Sequence, residues 1–414
     1  MKPKPPVALL TLIAMASPLA LNAFVPAMPD AAAALDADIA TIQLTFTFYL
    51  LTLAIGQLIT GPLADYFGRR PVLLTGLGLH TVGSLFAASA DGVDMLIIGR
   101  VLQALGGSTC MALVRAIILD VHGRQGAAGR MGYVVMAIAI AQAIAPTIGG
   151  YLNLWSGWNS IFYLSVFMGA LVWLVALRVL PETSDVRSDS LHLGGILERY
   201  RDVLGSKQYM GYVLSTTAVA AAFYLFVGSS PYIVTDQLGG NSAQFGSWFL
   251  IVSLAFMAGS FLSTRLAHLF SVDQMILSGN LISLLGAALL MGLSVLNQLS
   301  FAGLFLPMAL LIFGRGLSQP NAQSAAINSS NSSAGTASGL MGFIQLITGA
   351  AIAQLVPVML EYNTTLIFGC ILVGPIIALL AHFNAWHRRH DKTADNGYGN
   401  PQRQKRKTSW VSSH

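Results

Sequence analysis

The sequence GPLADYFGRRPVLL occupies residues 61–74 and is a short polar stretch between two long apolar ones. The apolar segments on either side cover residues 41–61 and 72–90, and about 20 apolar residues are enough for a helix to cross a bilayer. Glycine permits a tight turn, and a charged side chain beside a helix end can pair with that end or with a neighbouring charge. The glycines and charged residues of this stretch are Gly61, Asp65, Gly68, Arg69 and Arg70. The stretch therefore predicts a tight, charged loop between two membrane-spanning helices.

Apolar segments of the same length recur along the whole chain. Of its 414 residues, 55% are hydrophobic and 9% are charged, and the mean hydropathy is +0.67. Soluble chains carry roughly a quarter charged residues, so lipid must be the solvent for most of this one. The predicted spans are 7–26, 41–61, 72–90, 95–118, 131–152, 160–180, 209–230, 245–267, 275–295, 301–322, 337–359 and 364–386. We expect an all-α polytopic membrane protein with about twelve transmembrane helices.

The first span has a second interpretation, as a cleavable export signal, because two lysines precede its apolar run. Pro26 and Pro29 follow at once, and a chain with so many later spans needs no separate signal. We therefore interpret residues 7–26 as the first membrane helix.

The charges between the spans predict the orientation of the chain. Cytoplasmic loops carry the excess of lysine and arginine. If the N-terminus is cytoplasmic, every basic residue outside the spans falls on the inner side, and the outer loops hold acids. These acids are Asp30, Asp36, Asp38, Asp91, Asp94, Asp236 and Glu361. We expect a bacterial inner-membrane protein with both termini cytoplasmic, in which the net charge of +5 reflects topology and not a nucleic-acid partner.

The longest polar interruption divides the chain into two parts of similar size. We predict an N-terminal six-helix bundle at residues 1–182, a cytoplasmic central loop at 183–208 and a C-terminal six-helix bundle at 209–390. Residues 391–414 are polar and basic, and we predict a disordered cytoplasmic tail there. Two halves with equal helix counts are expected of a duplicated transporter.

The stretch at 61–74 resembles the signature loop of the major facilitator superfamily, and further motifs follow in the expected order. RVLQALGG at 100–107 is similar to that superfamily's Arg–Gln–Gly motif, with Gln103 as its glutamine. Span five resembles the glycine–proline antiporter motif, with two glycines replaced by alanine. Its retained positions are Gly132, Pro146, Gly149 and Gly150.

Other motifs resemble the bicyclomycin/chloramphenicol-resistance (Bcr/CflA) branch of drug:proton antiporters. NAFVPAMP at 22–29 is similar to the branch's motif in span one. LPET at 180–183, SPY at 230–232 and AGTAS at 334–338 also suit this branch. The resemblance covers nearly the whole chain up to about residue 386.

The resemblance implies a major facilitator fold, in which two six-helix bundles rock around a central cavity. It assigns a conformational switch to the inner loop, at Gly61, Asp65, Gly68, Arg69, Arg70 and Asp120, whose charges would join the halves in the outward-open state. It gives Arg100 and Gln103 a part in proton or substrate coupling, and it gives the span-five glycines and proline a part in helix packing.

Asn22 departs from the branch's pattern, which carries an aspartate at this position. An aspartate can take up and release a proton, and an asparagine cannot. His80, in the middle of span three, is the titratable side chain left at this depth, and imidazole titrates near neutral pH. A packed structural histidine is the alternative. Asp65 and Asp120 could titrate instead, or the protein could be a facilitator without proton coupling.

Arginines within the predicted spans are candidates for a functional role, because a charge in hydrocarbon is costly unless it faces a partner or a wet cavity. They are Arg100, Arg115 and Arg315. The alternatives are snorkelling to an interface for Arg100 and Arg115, and a structural hydrogen-bond hub for Arg315.

Aromatic and amide side chains in the spans are candidates for substrate contacts, although large aromatics also face lipid or core. The candidates are Tyr49, Gln142, Phe223, Tyr224, Phe226 and Asn321. A neutral cavity lined in this way would suit uncharged amphipathic solutes.

We therefore expect a transporter and not an enzyme: a secondary active exporter of antibiotics of the chloramphenicol or bicyclomycin type, acting by alternating access in exchange for protons. We expect a monomer in the lipid bilayer, with a small-molecule substrate, protons and no cofactor or metal. The sequence has no phosphate-binding loop that would indicate ATP as the energy source. The alternatives are a carrier of nucleoside- or sugar-like metabolites and, more remotely, a membrane sensor or enzyme.

Overall fold

The computed structural model describes residues 5–184, 194–330 and 334–397, and this part of the chain is helical with no strand. Twelve of its helices are long and apolar enough to cross a membrane. In the first half these are α1 Val7–Ala34, α2 Ile39–Phe67, α3 Arg69–Ala88, α4 Val93–Gly123, α5 Gly129–Ser156 and α6 Asn159–Val179. In the second half they are α8 Lys207–Gln237, α9 Ser242–Leu266, α10 Val272–Val295, α11 Phe301–Ser329, α12 Gly335–Tyr362 and α13 Thr364–His387. The prediction of about twelve transmembrane helices is confirmed.

The first helix runs past Pro26, at the end of the predicted span, and past Pro29. A 3₁₀ turn at Val25–Ala27 interrupts it, and the helix resumes as Met28–Ala34. Pro29 lies in the first turn of that segment, where its missing N–H leaves no helical hydrogen bond unmade. The segment therefore extends the first span instead of ending it at residue 26.

Close backbone contacts hold each six-helix bundle together. In the first bundle α3 packs along α4, and a Cβ on Gly83 would lie 2.3 Å from the backbone nitrogen of Gln103. In the second bundle α10 packs along α11, and a Cβ on Gly279 would lie 2.5 Å from the carbonyl oxygen of Gly314. Small residues allow membrane helices to approach this closely, and the glycines at these contacts are among the 41 in the sequence.

The two bundles meet along two pairs of helices. α5 packs against α9, and α2 packs against α12. We call the end of the molecule that holds the α2–α3 turn the Gly68 end, and the end that holds the α5–α6 turn the Gly157 end. This arrangement places the interface between the bundles around a central space.

The segments outside the bundles differ from their predictions. The predicted central loop, 183–208, contains a short helix, α7 Gly194–Gly205, and α8 begins at Lys207. In the predicted tail, 391–414, the helix of α13 continues to Gly397, because adding a residue to an existing helix costs less than starting one. Residues 185–193 and 398–414 lie outside the described part.

Candidate functional site

A cavity of about 360 Å³ lies between the two bundles, near the middle of the membrane helices and toward the Gly68 end. Both bundles contribute to its wall, through α1, α2, α4 and α5 on one side and α8, α9, α11 and α12 on the other. The predicted site residues that line it are Asn22, Arg115, Gln142, Phe223, Tyr224 and Arg315. Further amides and rings in the wall come from Gln57, Gln319, Gln323, Gln345, Phe249 and Phe256.

The cavity is cationic, not neutral as the sequence led us to expect. Arg115 of α4 and Arg315 of α11 both line it, and none of the described residues in its wall is an aspartate or glutamate. Arginine keeps its positive charge at any physiological pH. The expectation of a neutral cavity is wrong because it rested on the aromatic and amide side chains and did not include the charges of Arg115 and Arg315.

The two arginines are held differently. The Arg315 Nε donates to Gln319 Oε1 over 3.0 Å, and its guanidinium lies 4.8 Å from the centre of the Phe223 ring and 5.8 Å from that of Phe256. Arg115 is exposed to the cavity and has no hydrogen-bond or ion-pair partner among the described residues. Arg315 is therefore positioned in advance, whereas the Arg115 side chain is free to move to a ligand.

Asn22 lies on the cavity wall, where its amide donates to the carbonyl oxygen of Pro18 over 2.7 Å. The side chain thus bonds within its own helix. An ionised carboxylate could not make this hydrogen bond, because it has no proton to donate.

Arg100 is fully buried inside the first bundle and does not line the cavity. Its guanidinium lies 4.1 Å from the centre of the Tyr49 ring, and the rings of Phe24 and Phe162 lie at 5.4 and 5.7 Å. One guanidinium nitrogen donates to the Ala20 carbonyl over 3.1 Å. This arrangement stabilises the cation by contact with aromatic faces instead of a carboxylate.

The same nitrogen of Arg100 also donates to Gln103 Oε1 over 2.6 Å, which begins a buried hydrogen-bond network. Gln103 Nε2 donates to Ser84 Oγ over 2.7 Å, and His80 Nδ1 lies 2.9 Å from the Gln103 carbonyl oxygen. This network ties α3 to α4. His80, Arg100, Gln103 and Tyr49 were predicted as coupling or cavity residues, but the structure places them together inside one bundle, away from the cavity.

Two further predicted cavity residues pack elsewhere. Phe226 is buried against the rings of Phe249 and Phe305. The Asn321 amide donates to Ser263 Oγ over 2.8 Å and joins α11 to α9. Neither side chain lines the cavity, because each turns from its helix into the second bundle.

The predicted switch residues form a charge cluster at the Gly68 end. An Arg69 guanidinium nitrogen lies 2.8 Å from Asp65 Oδ1, and Arg69 Nε lies 3.1 Å from Asp120 Oδ2. Arg70 donates to the carbonyl oxygens of Leu180 and Leu177, over 2.7 and 2.9 Å. In this structure the pairs connect α2, α3, α4 and α6 of the first bundle. A Cβ on Gly61 would meet nothing within 4 Å, so packing does not require a glycine there.

Glu182 is a member of this cluster that we did not predict as a site residue. Its carboxylate accepts hydrogen bonds from the backbone N–H groups of Arg69 and Arg70, over 3.0 and 3.2 Å. It thereby caps the N-terminus of α3, where a negative charge is favourable. Gly68, just before, has φ +101°, and a Cβ there would lie 2.5 Å from Glu182 Oε2, so this turn requires glycine.

The hydrogen bonds around Glu182 affect its ionisation. Burial raises the pKa of the carboxyl group, but the backbone N–H groups of Ser184, Arg69, Arg70 and Thr183 together lower it by more. The net pKa therefore lies below the ordinary value, and the group is ionised at neutral pH. The LPET motif at 180–183, which contains Glu182, was the sequence feature that could have indicated this capping role.

Hydrogen bonds between the bundles cluster at the Gly157 end. The Asn153 amide donates to Ser242 Oγ over 2.9 Å and also to Asp30 Oδ2. Thr147 Oγ1 donates to the Gly246 carbonyl over 2.8 Å, and Thr47 Oγ1 donates to Gln354 Oε1 over 3.1 Å. Sequence reasoning missed these residues, because nothing in the chain signals a pairing of positions so far apart.

The glycine–proline motif of α5 lies in this contact between the bundles. A Cβ on Gly150 would lie 2.2 Å from the Ser242 carbonyl oxygen, and one on Gly149 would lie 1.8 Å from that of Ala23. The Pro146 carbonyl oxygen would lie 2.4 Å from a Cβ on Gly246 of α9. Gly132 belongs to the same motif, but it has open space around it and does not contribute to this contact. The cavity is thus closed by backbone contact at the Gly157 end.

Comparison with known proteins identifies this architecture. The model of the Major Facilitator Superfamily matches residues 10–353. A bicyclomycin resistance protein homolog of Haemophilus influenzae is 25% identical over 348 residues, and the match covers 84% of this chain and 87% of that protein. A chloramphenicol resistance protein of Pseudomonas aeruginosa is 27% identical over 363 residues, and the match covers 87% of this chain and 85% of that protein.

A crystal structure of a D-xylose–proton symporter shares the fold. Its TM-score is 0.71 at 14% identity, with 92% of this chain and 96% of that one covered. The two resistance proteins confirm the resemblance to the bicyclomycin/chloramphenicol-resistance branch. Membership of one transporter family explains the twelve helices, the central cavity and the match over residues 10–353. The chain belongs to the Major Facilitator Superfamily and is a multi-pass membrane transporter, not an enzyme.

Proposed function

We propose that this transporter exports small amphipathic compounds, antibiotics of the bicyclomycin or chloramphenicol type, by alternating access. The observation that carries the proposal is the central cavity, which both bundles line and which backbone contact closes at one end. A site of this kind can be presented to either side when two bundles rock about it. The names of the two resistance proteins supply the substrate class.

The charges at the two ends of the molecule support an assignment of the side of the membrane toward which the cavity opens. The Gly68 end carries basic residues at the ends of the spans and in α7, among them Arg70, Arg130 and Arg201, whereas the Gly157 end carries Asp36, Asp91 and other acids. The positive-inside rule supports placing the Gly68 end in the cytoplasm of a bacterial inner membrane, with both termini on that side. The structure is then an inward-facing state, in which the cavity receives compounds from the cytoplasm.

Proton exchange is part of the proposal, with a facilitator as the alternative. Asn22 stands on the cavity wall where the branch carries an aspartate, and none of the described wall residues is acidic. Asp65 and Asp120, which pair with Arg69 in the charge cluster, are the acids to which the proposal assigns this exchange. The protein needs no cofactor for this cycle and acts as a monomer.

The test is expression of the intact chain in a bacterial strain that lacks its own drug exporters. We expect higher minimum inhibitory concentrations for a subset of an antibiotic panel and energy-dependent uptake of those compounds into inverted membrane vesicles. A matched control is Gly68→Val, which retains the spans but cannot form the α2–α3 turn. Unchanged susceptibility together with altered uptake of nucleosides or sugars would favour the metabolite carrier instead.

A further inference from the structure

The chemical character of the cavity narrows the class of compound that it binds. Arg115 comes from the first bundle and Arg315 from the second, and each presents a permanent positive charge to the same space. Gln319 Oε1 accepts one hydrogen bond from Arg315, but an amide carries no charge and cannot neutralise it. The described wall therefore contains two cations without a counter-ion.

An uncompensated charge inside a membrane protein is costly unless something offsets it. Arg100 shows how this chain surrounds an arginine that lies away from the cavity: it is fully buried, with three aromatic rings and a carbonyl oxygen around its guanidinium, although two of its nitrogens make no hydrogen bond. Arg115 has no such surroundings, and its side chain is exposed to the cavity. The contrast indicates that the charge of Arg115 serves a ligand and not the fold.

The remaining wall suits the apolar part of such a ligand. Phe223, Tyr224, Phe249 and Phe256 supply aromatic surface, and the cavity volume of about 360 Å³ lies in the range of small-molecule sites. A cationic drug would meet two guanidinium groups and no acid.

We propose that the cavity binds amphipathic organic anions, with the acidic group of the substrate between Arg115 and Arg315 and its apolar part on the aromatic wall. This inference rests on the proposed function of export, and it adds amphipathic anions to the uncharged antibiotics named there. Because the arginines belong to different bundles, an anion bound by both draws the bundles together at the cavity. Outward movement of an anion is also favoured by an inside-negative membrane potential, so its export does not depend on a carboxylate in the cavity.

The test compares two probes that differ in charge alone. The full chain is placed in nanodiscs of zwitterionic phosphatidylcholine, and binding of 2-naphthalenesulfonate and of the uncharged 2-naphthalenesulfonamide is measured by equilibrium dialysis at pH 7. We expect the sulfonate to bind at least about tenfold more tightly, which is the effect of one charge-assisted hydrogen bond. Arg115→Gln and Arg315→Gln should each weaken sulfonate binding about tenfold and leave sulfonamide binding unchanged.

Two further variants serve as controls. Arg115→Lys retains the charge and should retain most of the sulfonate binding. Arg265→Gln removes an equal charge from an exposed arginine of α9 that packs on Phe261 outside the cavity, and it should bind both probes as the wild type does. Equal affinity for the two probes, no sulfonate binding at millimolar concentration, or full sulfonate binding by the Arg115→Gln/Arg315→Gln double variant would overturn the proposal.

Failure of the anion inference can be distinguished from failure of the proposed export function. If uncharged antibiotics are exported from cells while the sulfonate shows no preference, export stands and the anion inference is wrong. If no compound of any charge moves across vesicles, the proposed function itself is wrong.

Discussion

The amide of Asn153 donates a hydrogen bond to Ser242 Oγ over 2.9 Å, and this bond joins the two bundles at the Gly157 end. Asn153→Ala removes it together with the bond to Asp30. Because a hydrogen bond contributes about 1 kcal/mol net, we expect a shift of roughly fivefold toward the state that is open at this end. The measurement is the distance between spin labels on α5 and α9. Ser294→Ala, which removes a bond within the second bundle to Thr365, should leave that distance unchanged.

Gly150→Ala should prevent closure of the same end. The added Cβ would lie 2.2 Å from the Ser242 carbonyl oxygen, and relief of such overpacking costs about 1–3 kcal/mol. We expect loss of most transport with normal membrane insertion, measured as substrate uptake into inverted vesicles and as protein abundance. Gly132→Ala is the matched control on the same helix, because its Cβ meets nothing within 4 Å. Equal loss in both variants would contradict a role for the contact at Gly150.

Glu182→Gln should loosen the α2–α3 turn at neutral pH. The pKa of the Glu182 carboxyl lies below its ordinary value of 4.5, so its stabilising effect is present above that value and is lost as the pH falls through the lower, folded-state value. An anionic group at a helix N-terminus contributes about 0.3–1 kcal/mol, which predicts a two- to fivefold loss of hydrogen-exchange protection at residues 69 and 70. The difference from wild type should disappear only once the pH has fallen below the lowered, folded-state pKa of this carboxyl group. Asp38→Ala, which removes the side-chain cap at the start of α2, should not alter these amides.

Asn22→Asp should make transport more dependent on protons. The new carboxyl group would lie on the cavity wall, able to donate to the Pro18 carbonyl when protonated and unable to do so when ionised. Uptake into vesicles is measured with and without a protonophore. If wild-type transport already collapses with the protonophore and Asn22→Asp changes nothing, position 22 does not limit coupling.

Arg100→Met should destabilise the first bundle. The substitution leaves Gln103 Oε1 and the Ala20 carbonyl without their donor, and a buried unsatisfied polar group costs about 1–3 kcal/mol. We expect a lower midpoint of thermal unfolding in detergent, whereas Arg115→Gln should change it little. A variant that keeps its unfolding midpoint but loses transport would point to coupling instead of structure.

The sequence was sufficient to predict the membrane helices and the charge cluster, for a physical reason. Crossing a bilayer demands about 20 apolar residues in a row, which composition reveals directly. Asp65 and Arg69 lie beside helix ends, where a short loop leaves little choice of position, whereas the part of Asp120 was predicted from the family resemblance.

The cavity was less predictable, because the direction of a side chain from a helix depends on packing. Gln142, Phe223 and Tyr224 line the cavity, but Tyr49 and Phe226 turn into the bundles with the same kind of ring. A span that is apolar on every side gives no periodicity from which the wet face could be chosen. The contact between Asn153 and Ser242 could not be predicted either, because it depends on how two separate bundles meet.

The backbone contact between Gly150 and Ser242 has a consequence for the cell's energy supply. With no room for a Cβ, there is no room at this point for a file of water molecules along which protons or other ions could pass. In the inward-facing state proposed above, this contact blocks one path by which ions would cross and dissipate the membrane potential. The tightness of two facing backbones thus protects the gradient on which the organism's other transporters depend.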